Sequence, residues 1–157
     1  MMPSPLHILS VIAVACVTAL SSCTGDGCVD NSSSLPLAHF YQGGKKVTVS
    51  NLSVRGIGAP GDSILVDKQS VSEVYLPLRP GANMCQFEFN YNTEGATADT
   101  ITLHYSATPM FANMDCGAMY GFTISEHQFT HHAIDSVALV NPEVTNNNAV
   151  TLRIFMR

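Results

Sequence analysis

Four sulfur-bearing side chains fall within ten residues, Met110, Met114, Cys116 and Met119, and thioether and thiolate donors at such density suit a soft ion such as Cu(I). Soon after them come His127, His131 and His132, whose imidazoles are ligands for zinc or for haem iron. Asp135 and Ser136 then follow, which with one of those histidines would supply the residue types of a hydrolytic triad. Each grouping has a structural reading that outweighs the chemical one. Methionines in an Ala/Gly/Phe-rich segment fill irregular gaps in cores. The face carrying His127 and His131 also carries Thr123 and Ser125, which describes a row facing solvent. Adjacent strand residues point to opposite sides, so Asp135 and Ser136 do not readily serve one site. No Gly-x-Ser-x-Gly elbow or His-Glu-x-x-His pair is present, and the expectation is a protein without catalytic residues and without a cofactor.

A different chemistry is specified at the other end of the chain. The apolar segment from Leu6 to Leu20 ends in Leu20-Ser21-Ser22-Cys23, the pattern at which a bacterial lipoprotein leader is cut and the new N-terminal cysteine acylated. Only a thiol serves there, because it carries the diacylglyceryl group as a stable thioether. The segment is too short to span a bilayer of roughly 30 Å, as expected of a leader that is removed. It carries His7 and the terminal amine as its only basic groups before the apolar run. Residues 1–22 are thus expected to be a signal peptide and Cys23 the lipidation site. Two or more acyl chains hold a protein durably, since each buried methylene contributes about 0.8 kcal/mol.

What would follow Cys23 is one domain with a substantial core. Seven Lys and Arg against twelve Asp and Glu, scattered and netting −5, exclude the clustered basic surface that nucleic acid requires. Residues 23–36 are rich in Gly, Ser, Asp and Asn and read as a lipidated tether. From residue 37 to 157 the dominant period is two. Val47, Val49, Leu52 and Val54 alternate with polar neighbours, with a slip at Asn51 that suits a β-bulge. Val74, Leu76 and Leu78 alternate around Pro77, which confines that strand to a sheet edge. Further alternating runs are Cys85 to Tyr91, Ile101 to Tyr105, Tyr120 to Ile124 and Val150 to Met156, and Val137 to Val140 is a continuous apolar run.

Turn signals separate these runs, at Gly43-Gly44, Pro80-Gly81, Asn92 to Gly95 and Asn146 to Asn148 among others. About eight short strands with no amphipathic helix predict an all-β, antiparallel β-sandwich, immunoglobulin-like in general architecture. Asp62-Ser63-Ile64, Asp99-Thr100-Ile101 and Asp135-Ser136-Val137 each place Asp where a strand opens, and local turn chemistry accounts for them.

Cysteine parity follows from the same pattern. Cys16 would leave with the leader and Cys23 would be acylated, so Cys28, Cys85 and Cys116 remain. Cys85 shares a face with Phe87 and Phe89 and is expected to be a buried, inert thiol. Cys28 and Cys116 lie in Gly/Asp-flanked loop sequence and are expected to pair. Closing a loop of roughly ninety residues stabilises by about 4 kcal/mol in the chain-entropy description. It would also leave a leash of roughly 12 Å between the domain and the lipid.

The segments Cys28-Val29-Asp30-Asn31, 56–67, 74–80, 115–122 and 132–140 resemble those of an uncharacterised family of small lipoproteins from gut Bacteroidales. The resemblance implies an outer-membrane lipoprotein with a β-rich body, and it transfers no catalytic residue. Surface-displayed lipoproteins of that group carry an acidic stretch after the lipidated cysteine. Thr24-Gly25-Asp26-Gly27 carries a single acid, so the resemblance implies a body facing the periplasm. The expected partners are the membrane, through the lipid, and another envelope protein or a glycan such as peptidoglycan. The expected contact regions are the loops Gly58 to Asp62 and Thr108 to Gly117. The competing expectation is a copper- or haem-handling envelope protein.

Overall fold

The computed structural model describes residues 34–59, 61, 63–113 and 117–157, of residues 112 and 113 the backbone alone. Eleven strands and no helix occur among them. One sheet runs in the order β2 (Lys45–Lys46), β1 (Leu37–Gln42), β11 (Val150–Met156), β9 (Ile134–Leu139), with β5 (Glu73–Tyr75) pairing β1 beside β2. The other runs β10 (Glu143–Val144), β8 (Gly117–Phe129), β7 (Asp99–Asn113), β6 (Met84–Asn90), β3 (Val49–Ile57), β4 (Ile64–Val71), antiparallel throughout. The β-sandwich expected from the period of two is therefore present, with eleven strands where about eight were expected.

The additional strands are those in which the alternation is hidden. β4 is an edge strand whose only buried residue is Val66, so its sequence shows no period. β1 begins with two buried neighbours, Leu37 and Ala38, where its register with β11 shifts. β1 and β11 pair in parallel, which stitches the start of the domain to its last strand.

Each sheet buries one face, as transfer of apolar surface from water demands. Phe40, Leu152, Ile154 and Ile134 come from the first sheet, and Leu52, Val54, Phe87, Phe89, Ile101 and Leu103 from the second. Phe40 meets Phe89 edge to face across the interface, centroids 6.3 Å apart. The expected bulge is at Asn51, which takes a left-handed φ of 53° while β3 slips against β4 between Val49 and Leu52. Asn92 is likewise left-handed, and the two amides bond each other's carbonyls at 2.8 and 2.9 Å, a role for which Asn is the favoured non-glycine residue. Pro77 was expected within an edge strand running from Val74 to Leu78, but the strand stops short of it. β5 leaves its ladder after Tyr75, and Leu76 and Leu78 remain buried without a strand partner.

The sandwich has two distinct poles. At one, Asn141 and its neighbours carry the chain from β9 to β10, with Val140 N–H on the Thr151 carbonyl and Ile124 N–H on the Pro142 carbonyl. The chain enters at this pole, where Leu37 pairs with Val150 and the Leu76 N–H binds the Pro36 carbonyl. At the opposite pole β8 crosses over to β9, and Arg157 N–H binds the Ala133 carbonyl.

That crossover is held by one side chain. Asp99 is fully buried, and Oδ1 accepts from Thr130 Oγ1 and His132 N–H, both at 2.8 Å. Its Oδ2 accepts from Tyr91 Oη at 2.9 Å, Ala133 N–H at 2.8 Å and Ile134 N–H at 3.0 Å. Burial pushes this carboxyl up, but the hydrogen bonds outweigh it and hold it below the usual carboxylate range. The same arrangement, with burial first and the Asp99 charge second, pushes the Tyr91 phenol well up.

Candidate binding cleft

A concave site forms at the pole where the chain enters. The ends of β3 and β6, the start of β4 and the extended segment 77–79 enclose about 300 Å³, within the usual range of small-ligand sites. Its walls are apolar, from Ile57, Ala59, Leu65, Pro77 and Phe87, and its polar groups come mainly from Arg79 and Gln86. Gly56 lies in the wall within β3, and a methyl group there would stand 3.7 Å from that of Ala59. The expected contact region Gly58 to Asp62 is thus part of the rim, as far as its described residues go.

Local chemistry fixes the walls of the cleft. Tyr105 on β7 donates its hydroxyl to the Arg79 carbonyl at 3.0 Å and accepts the Arg79 N–H at 3.1 Å, fixing the backbone of the wall. The Cys85 thiol approaches the same hydroxyl at 3.1 Å. Burial, and then the thiol, push the Tyr105 phenol up to about 12. Arg79 Nη1 donates to the Gly58 carbonyl at 3.3 Å, drawing the β3–β4 connection toward the segment opposite. Cys85 is the free, buried thiol that strand parity predicted.

The sequence-derived candidates are distributed otherwise. His127 donates Nε2–H to the Val137 carbonyl at 3.0 Å, and His131 donates Nδ1–H to the Asp135 carbonyl at 3.2 Å. Phe129 lies between them, 6.3 Å from the His127 ring and 4.5 Å from the His131 ring. His127 therefore ties β8 to β9, whereas Ser125 and His131 of the row expected to face solvent are exposed. His132 contributes its backbone N–H to Asp99 and keeps an exposed side chain. Among the described residues no group of three His, Cys, Asp or Glu side chains is placed to hold a metal ion. Asp135 is exposed and Ser136 half-buried on β9.

The segment Thr108 to Gly117 was expected to be a loop. Its described part is instead the outer part of the β7–β8 hairpin, with Met110 opposite Met119 and Phe111 opposite Ala118. Strand pairing persists because the two arms satisfy each other's backbone groups without an opposing sheet. The Met110 sulfur packs where a Cβ on Gly121 would stand at 3.0 Å, a gap-filling use of the thioether. Met114, Cys23, Cys28 and Cys116 lie outside the described residues, and with them the lipidation site and the expected disulfide.

Two residues central to this geometry were missed by sequence reasoning. Tyr105 was recognised only as one more apolar position in its strand. Asp99 was read as a local turn former, whereas its backbone donors come from residues 132–134.

No curated protein and no solved structure gave a match. A protein-family match does cover residues 51–156, from the bulge of β3 to the end of β11, and so takes in the cleft and the Asp99 crossover but not β1. On that match the chain belongs to DUF6452, a family of unknown function.

Proposed function

We propose that this protein is a non-catalytic binding module of the bacterial envelope, held to the outer membrane by lipid on Cys23 and facing the periplasm. Its cleft beside Ala59 takes the apolar part of a small amphipathic molecule or of an envelope partner. The observation that carries the binding role is the cleft itself, an apolar concavity with a guanidinium at its mouth. Such a site favours an apolar body bearing one anionic group. The buried polar groups support the non-catalytic part, since Asp99 spends both oxygens on five donors and Tyr105 is engaged with Arg79 and Cys85. The anchor rests on Leu20-Ser21-Ser22-Cys23 and on the likeness to Bacteroidales lipoproteins.

Anilinonaphthalene sulfonate, apolar rings carrying one anionic group, is a suitable probe. Titration is expected to reveal a saturable site that Ala59→Phe removes by filling the cleft, and that Arg79→Ala weakens about tenfold, some 1.4 kcal/mol. Binding unchanged in both variants would end this assignment. The anchor is checked separately by intact-mass spectrometry of protein from native membranes. The expected product begins at Cys23 and carries acyl groups, and an unacylated mass would refute the anchor.

A further inference from the structure

The inward face of the second sheet does not stop where the sandwich stops. Along β7 the positions that face the core are Ile101, Leu103 and Tyr105, and the same parity continues through Ala107 and Pro109 to Phe111. Along β8, Ile124 and Phe122 are buried and the parity continues to Tyr120 and Ala118. The two stripes are in register, Pro109 opposite Tyr120 and Phe111 opposite Ala118. Beyond Ala107 the first sheet no longer covers them. Phe111 is 63% exposed and Tyr120 44%, so a core-type surface continues into open space on a self-paired hairpin. From Ala107 to Phe111 the hairpin reaches roughly 13 Å past the sandwich.

We infer that this hairpin arm is a membrane-docking element that lays Phe111 and Tyr120 into the interface of the bilayer to which the chain is anchored; the inference rests on the lipid anchor proposed above. Three observations favour lipid as the occupant. First, between Ser106 and Ser125 the sole charged residue is Asp115, so almost no charge has to be desolvated, and Tyr and Phe are the rings that settle at headgroup level. Second, the arm projects from the pole where Ser34 to Leu37 enter the domain, so the chain leading back to Cys23 and the arm leave the same end of the molecule. Third, only ten residues separate Cys23 from Ser34, a span that covalent geometry limits to roughly 40 Å at most. An anchored body thus holds the arm beside the bilayer at high effective concentration, where a shallow apolar contact suffices. Two contacts, the acyl chains and the arm, then orient the body, with the cleft at the membrane-facing pole and the Asp99 crossover at the far one.

The chain contains no tryptophan, which makes a single introduced indole an unambiguous reporter. Phe111→Trp is placed on the arm and Glu94→Trp, exposed near the far pole, serves as the control. Each lipidated full chain is reconstituted into phosphatidylethanolamine and phosphatidylglycerol vesicles, with and without brominated acyl chains. For Phe111→Trp a blue-shifted emission and strong quenching by the brominated lipid are expected, and neither for Glu94→Trp. Solvent-like, unquenched emission from Phe111→Trp in protein that floats with the vesicles would overturn the docking arm and leave the anchor standing. Equal quenching of both indoles would also overturn it, since the body would then have no fixed orientation. Failure of the anchor shows itself differently, as an unacylated mass and protein that does not float. Held to the same vesicles by an N-terminal polyhistidine tag on a nickel-chelating lipid, that unacylated chain still tests the arm, with quenching of the arm indole supporting it and its absence refuting it.

Discussion

Replacing Asp99 with alanine is expected to lower stability by about 3 to 5 kcal/mol, because a buried donor left without an acceptor costs about 1 to 3 kcal/mol and water can reclaim only some of the five. For a chain of this size that is a fall in melting temperature of roughly 10 to 15 °C. Asp99→Asn is expected to lose most of the same stability, since its NH₂ would confront N–H and O–H donors where a carboxylate oxygen accepts. The sign of the pH dependence follows from the direction of the shift. The folded carboxyl is held below its ordinary value of 3.8. Its contribution is therefore complete above pH 3.8 and disappears as the pH falls from there through the lower folded value. Denaturant midpoints measured from neutral pH down through that window are expected to fall steeply for the wild type and less steeply for Asp99→Asn. Equal slopes would show that the carboxylate is not the group whose protonation loosens the crossover.

Phe89→Ala carries the other large expectation, a loss of about 3 to 5 kcal/mol. Phe89 is fully buried in the middle of the second sheet, so its removal leaves a cavity that neither sheet can close without giving up its own ladder. It also loses its edge-to-face partner Phe40 on the opposite sheet. Chemical denaturation of Phe89→Ala, Phe40→Ala and the double variant checks both terms. The double variant is expected to cost less than the two single changes together, by about 0.5 to 1.5 kcal/mol. Strict additivity would mean that the rings only fill space. The slope against denaturant is expected to stay constant, because the surface exposed on unfolding hardly changes.

These two expectations differ in how visible they were in the amino-acid order. Phe89 sits in the clearest alternation of the chain, Cys85 to Tyr91, and its burial follows from strand parity alone. The same parity puts the thiol of Cys85 inside. Asp99 is different: it shares the form Asp-Ser/Thr-Ile/Val with Asp62 and Asp135, yet Asp135 is exposed while Asp99 is completely buried. Nothing within a few residues separates the two. The distinction is made by the turn after β8, which returns to the start of β7 because those strands pair, and so delivers three N–H groups to one carboxylate. The hairpin arm shows the converse failure. Pro109, Gly117 and the small residues between them suggest a loop, but pairing with the neighbouring arm keeps Thr108 to Asn113 extended.

By itself, the order of residues determined the all-β class, most strands with a buried face, the bulge at Asn51 and the interior place of Cys85. All of these follow from properties a residue shares with its near neighbours: side-chain alternation and tolerance of positive φ. The tertiary structure alone decided the parallel closure of β1 on β11, the cleft between β3, β6 and residues 77–79, the choice of Asp99 to bind the crossover, and the apolar stripe left uncovered at Phe111 and Tyr120. Those depend on which strands meet and where one sheet ends before the other, and such long-range pairings leave no local trace.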